Sequence, residues 1–142
     1  MKIAIASDHG GFELKTQLIE YYKKQGLTLQ DMGTYSSDSC DYPDIAEKLC
    51  RAILSGDVQM GILICGTGIG ISIAANRYKG IRAAILYSDD VARLAREHNN
   101  ANVDVFGGRT MTKEEVCRRM DIFLQTEFEG GRHQRRIDKL DK

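Results

Sequence analysis

The chain has 142 residues, enough for about one domain with a single sizeable core. Lys and Arg together number 20, as do Asp and Glu, and this zero formal net charge gives no support to a nucleic-acid-binding or membrane-binding protein. The amino-terminal apolar run is too short for a signal peptide, and no apolar run approaches membrane-spanning length, so we expect a cytoplasmic protein.

Apolar runs and amphipathic helical patterns alternate along the chain. In chain order, we predict five strands, each followed by a helix: residues 2–7 and 11–26, 27–33 and 42–56, 60–65 and 69–78, 81–87 and 89–100, and 103–108 and 112–128. This alternation predicts an α/β three-layer sandwich of the Rossmann-like or flavodoxin-like class, with a five-stranded parallel sheet. Residues 130–142 follow a Gly-Gly break and predict a C-terminal helical tail on a single domain spanning residues 1–142.

The predicted strand order is 2-1-3-4-5. The runs that begin at Ile3, Ile62 and Ile81 are apolar on both faces, which is typical of central parallel strands. Ligands of open parallel sheets bind beyond the carboxyl ends of the strands where the order reverses, here between the first and third strands. Two polar segments leave these strands, residues 8–11 (DHGG) and residues 65–68 (CGTG), and we expect the functional site between them.

The glycine-rich loop at residues 66–70, GTGIG, follows a predicted strand and precedes a helix. Its backbone N–H groups can bind an anion. Dinucleotide binding requires G-x-G-x-x-G, and Ile71 stands at the last position, so we do not expect a nicotinamide cofactor.

Cys65 is the one side chain between residues 60 and 78 with a suitable proton-acceptor group, because this segment has no Asp, Glu or His. A thiolate there would be stabilised by the amino end of the following helix. A buried structural thiol fits the pattern equally well. The other three cysteines show no C-x-x-C spacing, so we expect free thiols and neither a zinc site nor any other metal site.

Six further polar residues have both a structural and a functional interpretation. Asp8 can act on a ligand or cap the next helix. His98 and Asn99 end a predicted helix, where a histidine often does no more than cap carbonyl groups. Three arginines can be solvated surface charges or anion ligands, namely Arg109, Arg132 and Arg136. The last two are four residues apart, so they share one helix face and can grip a phosphate together.

The motifs SDHGGFELK, DYPDIA, GILICGTGIGISIAANR, GIRAA, ARLAREHNNAN and TEFEGGRHQRRI closely resemble the type B ribose-5-phosphate isomerase family. This family also contains allose-6-phosphate and galactose-6-phosphate isomerases. The resemblance runs from residue 1 to about residue 140, with the motifs in the family's order. Asn100 is a departure, because many members have an acid there, and it bears on substrate preference.

The resemblance implies aldose–ketose isomerisation through a cis-enediolate, with no cofactor and no metal. Cys65 is then the base that shuttles the carbon-bound proton, His98 the acid at the ring oxygen, Asp8 a partner of the opposing hydroxyl, and Thr67 a proton carrier between substrate oxygens. The implied substrate-binding residues are His9, Gly66, Gly68, Ile69, Gly70, Asn99, Arg109, Arg132 and Arg136.

Ribose 5-phosphate and ribulose 5-phosphate are the favoured substrates, with the six-carbon sugar phosphates as alternatives. A non-catalytic sugar-phosphate sensor is a weaker alternative. Cys65, Thr67 and His98 together would form a proton shuttle, which binding alone does not need. A response-regulator-like domain would need an acceptor Asp where Cys65 stands. The helix that ends near His98 runs back from the carboxyl edge of the sheet, so His98 is expected at the opposite edge from Cys65. We therefore expect a homodimer that shares its active sites, or a tetramer, with no nucleic-acid or membrane partner.

Overall fold

The computed structural model describes residues 1–141. The five strands are β1 (Ile3–Ser7), β2 (Leu29–Asp31), β3 (Met60–Cys65), β4 (Ala83–Ile85) and β5 (Val103–Gly107). The helices are α1 (Phe12–Lys24), α2 (Tyr42–Leu54), α3 (Ile69–Ala75), α4 (Asp89–Glu97), α5 (Lys113–Gln125) and α6 (Arg132–Ile137), and a 3-10 turn at His9–Gly11 precedes α1. The predicted alternation and the C-terminal helix are confirmed, although β2 and β4 are much shorter than predicted and α1 to α5 each end earlier than predicted.

All strand pairs of the sheet are parallel, and the order is β2-β1-β3-β5-β4. The predicted order 2-1-3-4-5 is therefore wrong for the last two strands. All five residues of β5 are buried, whereas the three residues of β4 are half-buried, so the more completely covered strand lies beside β3 and β4 forms the edge. The reversal between β1 and β3 remains, and with it the predicted crevice.

Two apolar clusters cover the two faces of the sheet, as a three-layer sandwich requires. On one face, Leu18, Met120 and Phe123 of α1 and α5 pack against the strands. On the other, Leu49 and Ile71 of α2 and α3 do so. Within residues 1–141, none of the helices combines the length and the apolar character needed to span a bilayer.

Local sequence explains where the helices begin. Thr112 and Glu115 form a reciprocal capping box at the start of α5, in which each side chain accepts a hydrogen bond from the other residue's backbone N–H. The Ser88 hydroxyl accepts from the Val91 N–H at the start of α4. Pro43 lies in the first turn of α2, where its missing N–H costs no intrahelical bond.

Candidate active site

The segments that leave β1 and β3 meet backbone to backbone at the carboxyl edge of the sheet. The Asp8 N–H donates to the Ile64 carbonyl over 3.1 Å. A Cβ atom added to Gly10 would lie 3.0 Å from the Gly66 nitrogen, so glycine is what allows this approach. The loop after β5 also contacts the loop after β1. A Cβ on Gly108 would lie 2.5 Å from the Gly10 carbonyl oxygen, so the two backbones approach closely here.

Cys65 is the last residue of β3, and only 5% of it is exposed. Its Sγ atom accepts a hydrogen bond from the Gly68 N–H at 3.2 Å. Gly68 has φ of +84°, the left-handed conformation that glycine adopts readily, and this turn directs its N–H back to the sulfur. The Cys65 sulfur therefore has a preorganised donor for a negative charge.

Thr67 and Gly70 flank the start of α3. The exposed Thr67 side chain accepts the Ile69 N–H at its Oγ1 atom over 3.2 Å. Gly70 lies under the ring of Tyr42, whose Cζ atom would be 2.7 Å from an added Cβ. Ile69 itself is 57% exposed. The loop thus presents a hydroxyl group and first-turn amides beside the thiol of Cys65, as the sequence predicts.

Asp8 is buried, and its Oδ1 atom accepts the Gly10 N–H over 2.9 Å. The capping contact that the sequence allows is therefore present. The same carboxylate lies within the group of backbone segments around Gly66, since a Cβ on Gly10 would be 3.3 Å from Asp8 Oδ1 and 3.0 Å from the Gly66 nitrogen. The hydrogen bond by which Asp8 caps the 3-10 turn therefore also holds its carboxylate at the crevice.

His9 and Arg109 line a cavity of about 360 Å³ at this edge. The His9 Nδ1 atom accepts the Cys40 N–H over 3.2 Å, which leaves Nε2 as the proton-bearing nitrogen of the neutral ring. The Arg109 N–H donates to the Gly66 carbonyl over 2.9 Å, which ties the arginine to the glycine loop. Lys113 and Glu13 line the same cavity, and the sequence analysis did not single them out.

His98 lies elsewhere, at the C-terminal end of α4. Its ring stacks on that of His133 with centroids 4.2 Å apart, and its Nε2 atom is 3.4 Å from Glu129 Oε1. His133 is buried on α6, and this burial lowers its pKa. His98, Asn99 and Arg136 line one cavity of about 260 Å³.

Neither Glu129 nor His133 was singled out from the sequence. Their spacing of four residues is no signal for the contact, because Glu129 precedes α6, and Gly130 and Gly131 between the two residues have positive φ.

The residues around Cys65 (the Cys65 group) and the residues around His98 (the His98 group) lie at opposite ends of the sheet. The side chain of Arg82, just before β4, donates to the carbonyls of Asn99 and Asn100 over 3.1 and 2.9 Å. The N–H of Gly61, near the start of β3, donates to the Asn102 carbonyl. Gly61 and Cys65 are four residue steps apart along β3, which is about 13 Å at about 3.3 Å per residue. One chain therefore does not bring His98 to Cys65, in agreement with the expected location of His98.

The candidate phosphate ligands are divided in the same way. His9 and Arg109 lie at the carboxyl edge with Cys65. Arg132 and Arg136 belong to α6, which packs on the opposite edge through His133. Both arginines are exposed, so their guanidinium groups are accessible to a ligand or to another chain.

A family model described as Ribose/Galactose Isomerase matches residues 3–140. The chain is similar to ribose-5-phosphate isomerase B of Escherichia coli K12, with 44% identity over 139 residues, 98% of this chain and 93% of the relative.

Two solved structures superpose on nearly the whole chain. A ribose 5-phosphate isomerase from Thermotoga maritima aligns with a TM-score of 0.96 and 56% identity, over 99% of this chain and 97% of that one. Ribose-5-phosphate isomerase B from Mycoplasma genitalium with bound ribulose-5-phosphate aligns with a TM-score of 0.91 and 45% identity, over 98% and 93% of the two chains.

Proposed function

Because the chain belongs to the ribose/galactose isomerase family, we propose that it interconverts ribose 5-phosphate and ribulose 5-phosphate. The observation that carries the proposal is Cys65, a thiol held at the mouth of the crevice with a backbone N–H donated to its sulfur. Allose 6-phosphate and galactose 6-phosphate are the alternative substrates, since the family includes isomerases of six-carbon sugars.

In the proposed reaction, the Cys65 thiolate removes the proton from the carbon next to the carbonyl group and returns it to the neighbouring carbon. The intermediate is a cis-enediolate, whose negative charge needs fixed donors. First-turn amides of α3 lack intrahelical acceptors, and the Gly68 N–H just before the helix is 3.2 Å from the sulfur. The Thr67 hydroxyl group, exposed beside them, moves a proton between the two substrate oxygens.

Ring opening must precede isomerisation, because only the open-chain sugar has the carbonyl group that acidifies the carbon-bound proton. His98 donates a proton to the ring oxygen, and Asp8 binds the opposing hydroxyl group. Since His98 lies at the other end of the sheet from Cys65 in its own chain, it comes from a second subunit. The minimal active unit is therefore a homodimer, and a tetramer can be assembled from two such dimers.

The phosphate group is bound from both subunits in the same scheme. One chain contributes His9 and Arg109 beside the glycine loop. Its partner contributes Arg132 and Arg136, which are one helical turn apart on α6. Charge-assisted contacts from four cationic or N–H-bearing side chains fit a dianionic phosphate.

The test is the turnover of ribose 5-phosphate, allose 6-phosphate and galactose 6-phosphate by the purified protein under identical conditions. We expect the highest kcat/KM for ribose 5-phosphate. A higher value for a six-carbon sugar would transfer the proposal to that substrate. Binding of all three without turnover would replace it with the sugar-phosphate sensor.

A further inference from the structure

We propose that His98, Glu129 and His133 form a binding site for a transition-metal ion of the Zn²⁺ type. The three side chains each offer one ligand atom, and these atoms all lie within 4.8 Å of one another. The Nε2 atoms of His98 and His133 are 3.4 and 3.8 Å from the same Glu129 oxygen, Oε1. Both imidazole rings therefore have a nitrogen close to one carboxylate oxygen.

The donor set is one that binds zinc in other proteins. Two histidines and one carboxylate with an open fourth position form one of the known three-ligand zinc sites. Zinc–ligand bonds of about 2.0–2.2 Å in a tetrahedron place the donor atoms about 3.3 Å apart. The two His-to-Glu129 separations exceed this by only about 0.5 Å or less, and the two imidazole nitrogens lie within 4.8 Å of each other, so binding must draw these nitrogens closer together.

The histidine rings must tilt for both nitrogens to point at one ion, because they are stacked with an angle of 14° between their planes. His98 has the freedom to do so, since its side chain is 38% exposed. His133 is 9% exposed and supplies the fixed ligand. The cavity of about 260 Å³ beside both rings leaves room for a water molecule as the fourth ligand.

Backbone contacts hold the three donors together. The Glu129 N–H donates to the Glu97 carbonyl at the end of α4, over 3.0 Å. His98 follows that carbonyl directly, and its own N–H donates to Leu94 over 2.9 Å. The segment that leads into α6 is thereby anchored to the end of α4, which holds Glu129 of this segment close to His98.

Charge and ligand type determine which ions fit. Two imidazole groups favour Zn²⁺, Cu²⁺, Ni²⁺ and Co²⁺ over Mg²⁺ and Ca²⁺, which prefer all-oxygen sites. Arg132 and Arg136 on the same helix repel any cation, but both are exposed and their charges are screened by salt. Glu129 supplies the one negative charge of the donor set.

Occupation of this site has a consequence that rests on the proposed function. A metal bound to His98 Nε2 takes the lone pair and the proton position that ring opening requires. The ion would therefore inhibit the isomerase, and removal of the metal by a chelator would restore its activity. The binding itself does not depend on the reaction.

The experiment is a Co²⁺ titration of the chelator-treated protein, followed by the visible absorption of tetrahedral cobalt. We expect one equivalent to bind to the unaltered protein and at least about tenfold weaker binding to Glu129→Gln and His133→Ala. Glu127→Gln, an exposed glutamate of the same segment, is the matched control and should bind like the unaltered protein. Cys65→Ser should also bind normally, because the thiol is not a ligand.

A missing cobalt spectrum in the unaltered protein, or one that survives in both Glu129→Gln and His133→Ala, would overturn the proposal. Loss of the spectrum in Cys65→Ser would also overturn it, by assigning the ion to the thiol. In parallel, Zn²⁺ should inhibit the unaltered isomerase at least about tenfold more strongly than Glu129→Gln, each compared with its own metal-free rate. Cobalt binding without zinc inhibition would uphold the metal site and count against the role proposed for His98.

Discussion

The environments of three cysteines differ in what the sulfur contacts. Burial raises the pKa of Cys50 to about 12, and burial also raises the pKa of Cys117. These two thiols therefore stay protonated at neutral pH. The Cys65 sulfur instead accepts the Gly68 N–H, at the carboxyl edge of the sheet where the crevice lies. Chemistry is thus expected at Cys65 and packing at the other two.

Cys65→Ser should lower kcat by at least about 100-fold while KM stays nearly unchanged, because the loss of a general base acts on the transition state. A serine hydroxyl group is too weak an acid to replace the thiolate. Steady-state kinetics on ribose 5-phosphate measures both constants, and Cys117→Ala is the control expected to keep its kcat. Retention of most activity in Cys65→Ser would make Cys65 a structural thiol.

Arg136→Ala tests the phosphate contact. Loss of one charge-assisted hydrogen bond costs about 1.5–3 kcal/mol, so KM should rise about tenfold or more. Arg135→Ala is the matched control, since Arg135 is an exposed neighbour that does not line the cavity with His98. Inorganic phosphate should compete with the substrate. Equal changes in KM for the two substitutions would mean that Arg136 makes no specific phosphate contact and that both arginines act only as surface charges.

Asp104 lies in β5 and is 2% exposed, and its Oδ1 atom has no hydrogen-bond partner among the described residues. Burial raises the pKa of this carboxyl group well above its usual range, and the Arg96 guanidinium only partly opposes the shift. The folded state therefore keeps a proton that the unfolded chain releases. The free energy of unfolding must then decrease as the pH rises from about 4 through the folded pKa.

Asp104→Asn removes this titration, so the variant should gain stability relative to the unaltered protein as the pH rises. At about pH 8 the gain should reach at least about 1 kcal/mol, the lower cost of a buried group without a partner. Urea unfolding across this pH range measures it, with the exposed Asp57→Asn as control. Parallel pH curves for Asp104→Asn and the unaltered protein would show that Asp104 does not titrate as inferred.

At the scale of elements, the site depends on how closely the loops after β1, β3 and β5 approach one another. A Cβ on Gly108 would lie 2.5 Å from the Gly10 carbonyl oxygen and 3.1 Å from the Gly11 Cα atom. These are backbone atoms, which cannot swing away as a side chain can. A side chain at Gly108 must therefore move the loop after β5 away from the loop after β1.

Gly108→Ala should lower kcat/KM by about tenfold to about 100-fold, because displacements of about 1 Å can cost that much. Gly61→Ala provides the comparison, since its Cβ would meet the Leu49 side chain in the core, at the other end of β3. Both changes should destabilise the fold by about 1–3 kcal/mol through overpacking. Kinetics normalised to the folded fraction should show a loss for Gly108→Ala alone, and equal kinetics would mean that the loops tolerate the shift.

The strands and helices could be predicted from the sequence because hydrophobic periodicity is a property of neighbouring residues. The strand order could not, because it depends on contacts between distant parts of the chain. The run IRAAILY is apolar enough for a central strand, but only Ala83–Ile85 pair, and they do so with β5 alone. The sequence of residues 81–87 does not indicate that the later run VDVFG is more completely buried than this run. The competition between β4 and β5 for the place beside β3 is decided by packing of the whole chain.

In the candidate site, too, local sequence patterns locate some residues, whereas others are placed only by long-range packing. Cys65 and Asp8 could be located from sequence, because residues that leave neighbouring parallel strands meet at one edge. His133 could not, because its stacking on His98 depends on where the C-terminal segment packs. Asp141 contributes to this packing, since its carboxylate accepts the Gly80 N–H over 2.8 Å. Such long-range contacts carry no periodic signal.

At the scale of the whole molecule, each chain holds two incomplete groups of candidate site residues. The group at Cys65 holds the proposed base and its amide donor, and the group at His98 holds the proposed acid and two arginines. In the proposed homodimer, a two-fold axis brings the Cys65 group of one chain to the His98 group of its partner, and by symmetry the reverse pair forms as well. Ile69 and Ile73 of α3, each more than half exposed beside the Cys65 loop, give a second subunit apolar surface to cover.

Mixing two inactive variants tests the shared site directly. Cys65→Ser and His98→Ala are combined in equal amounts under conditions that allow subunit exchange, which is verified by mass spectrometry of differently tagged chains. In a hybrid dimer, one site receives both defects and the other receives an intact Cys65 and an intact His98. Random exchange makes half of the dimers hybrid, so about a quarter of full activity should return. If both residues served one site within a chain, every site would keep one defect, and the verified hybrids would stay inactive.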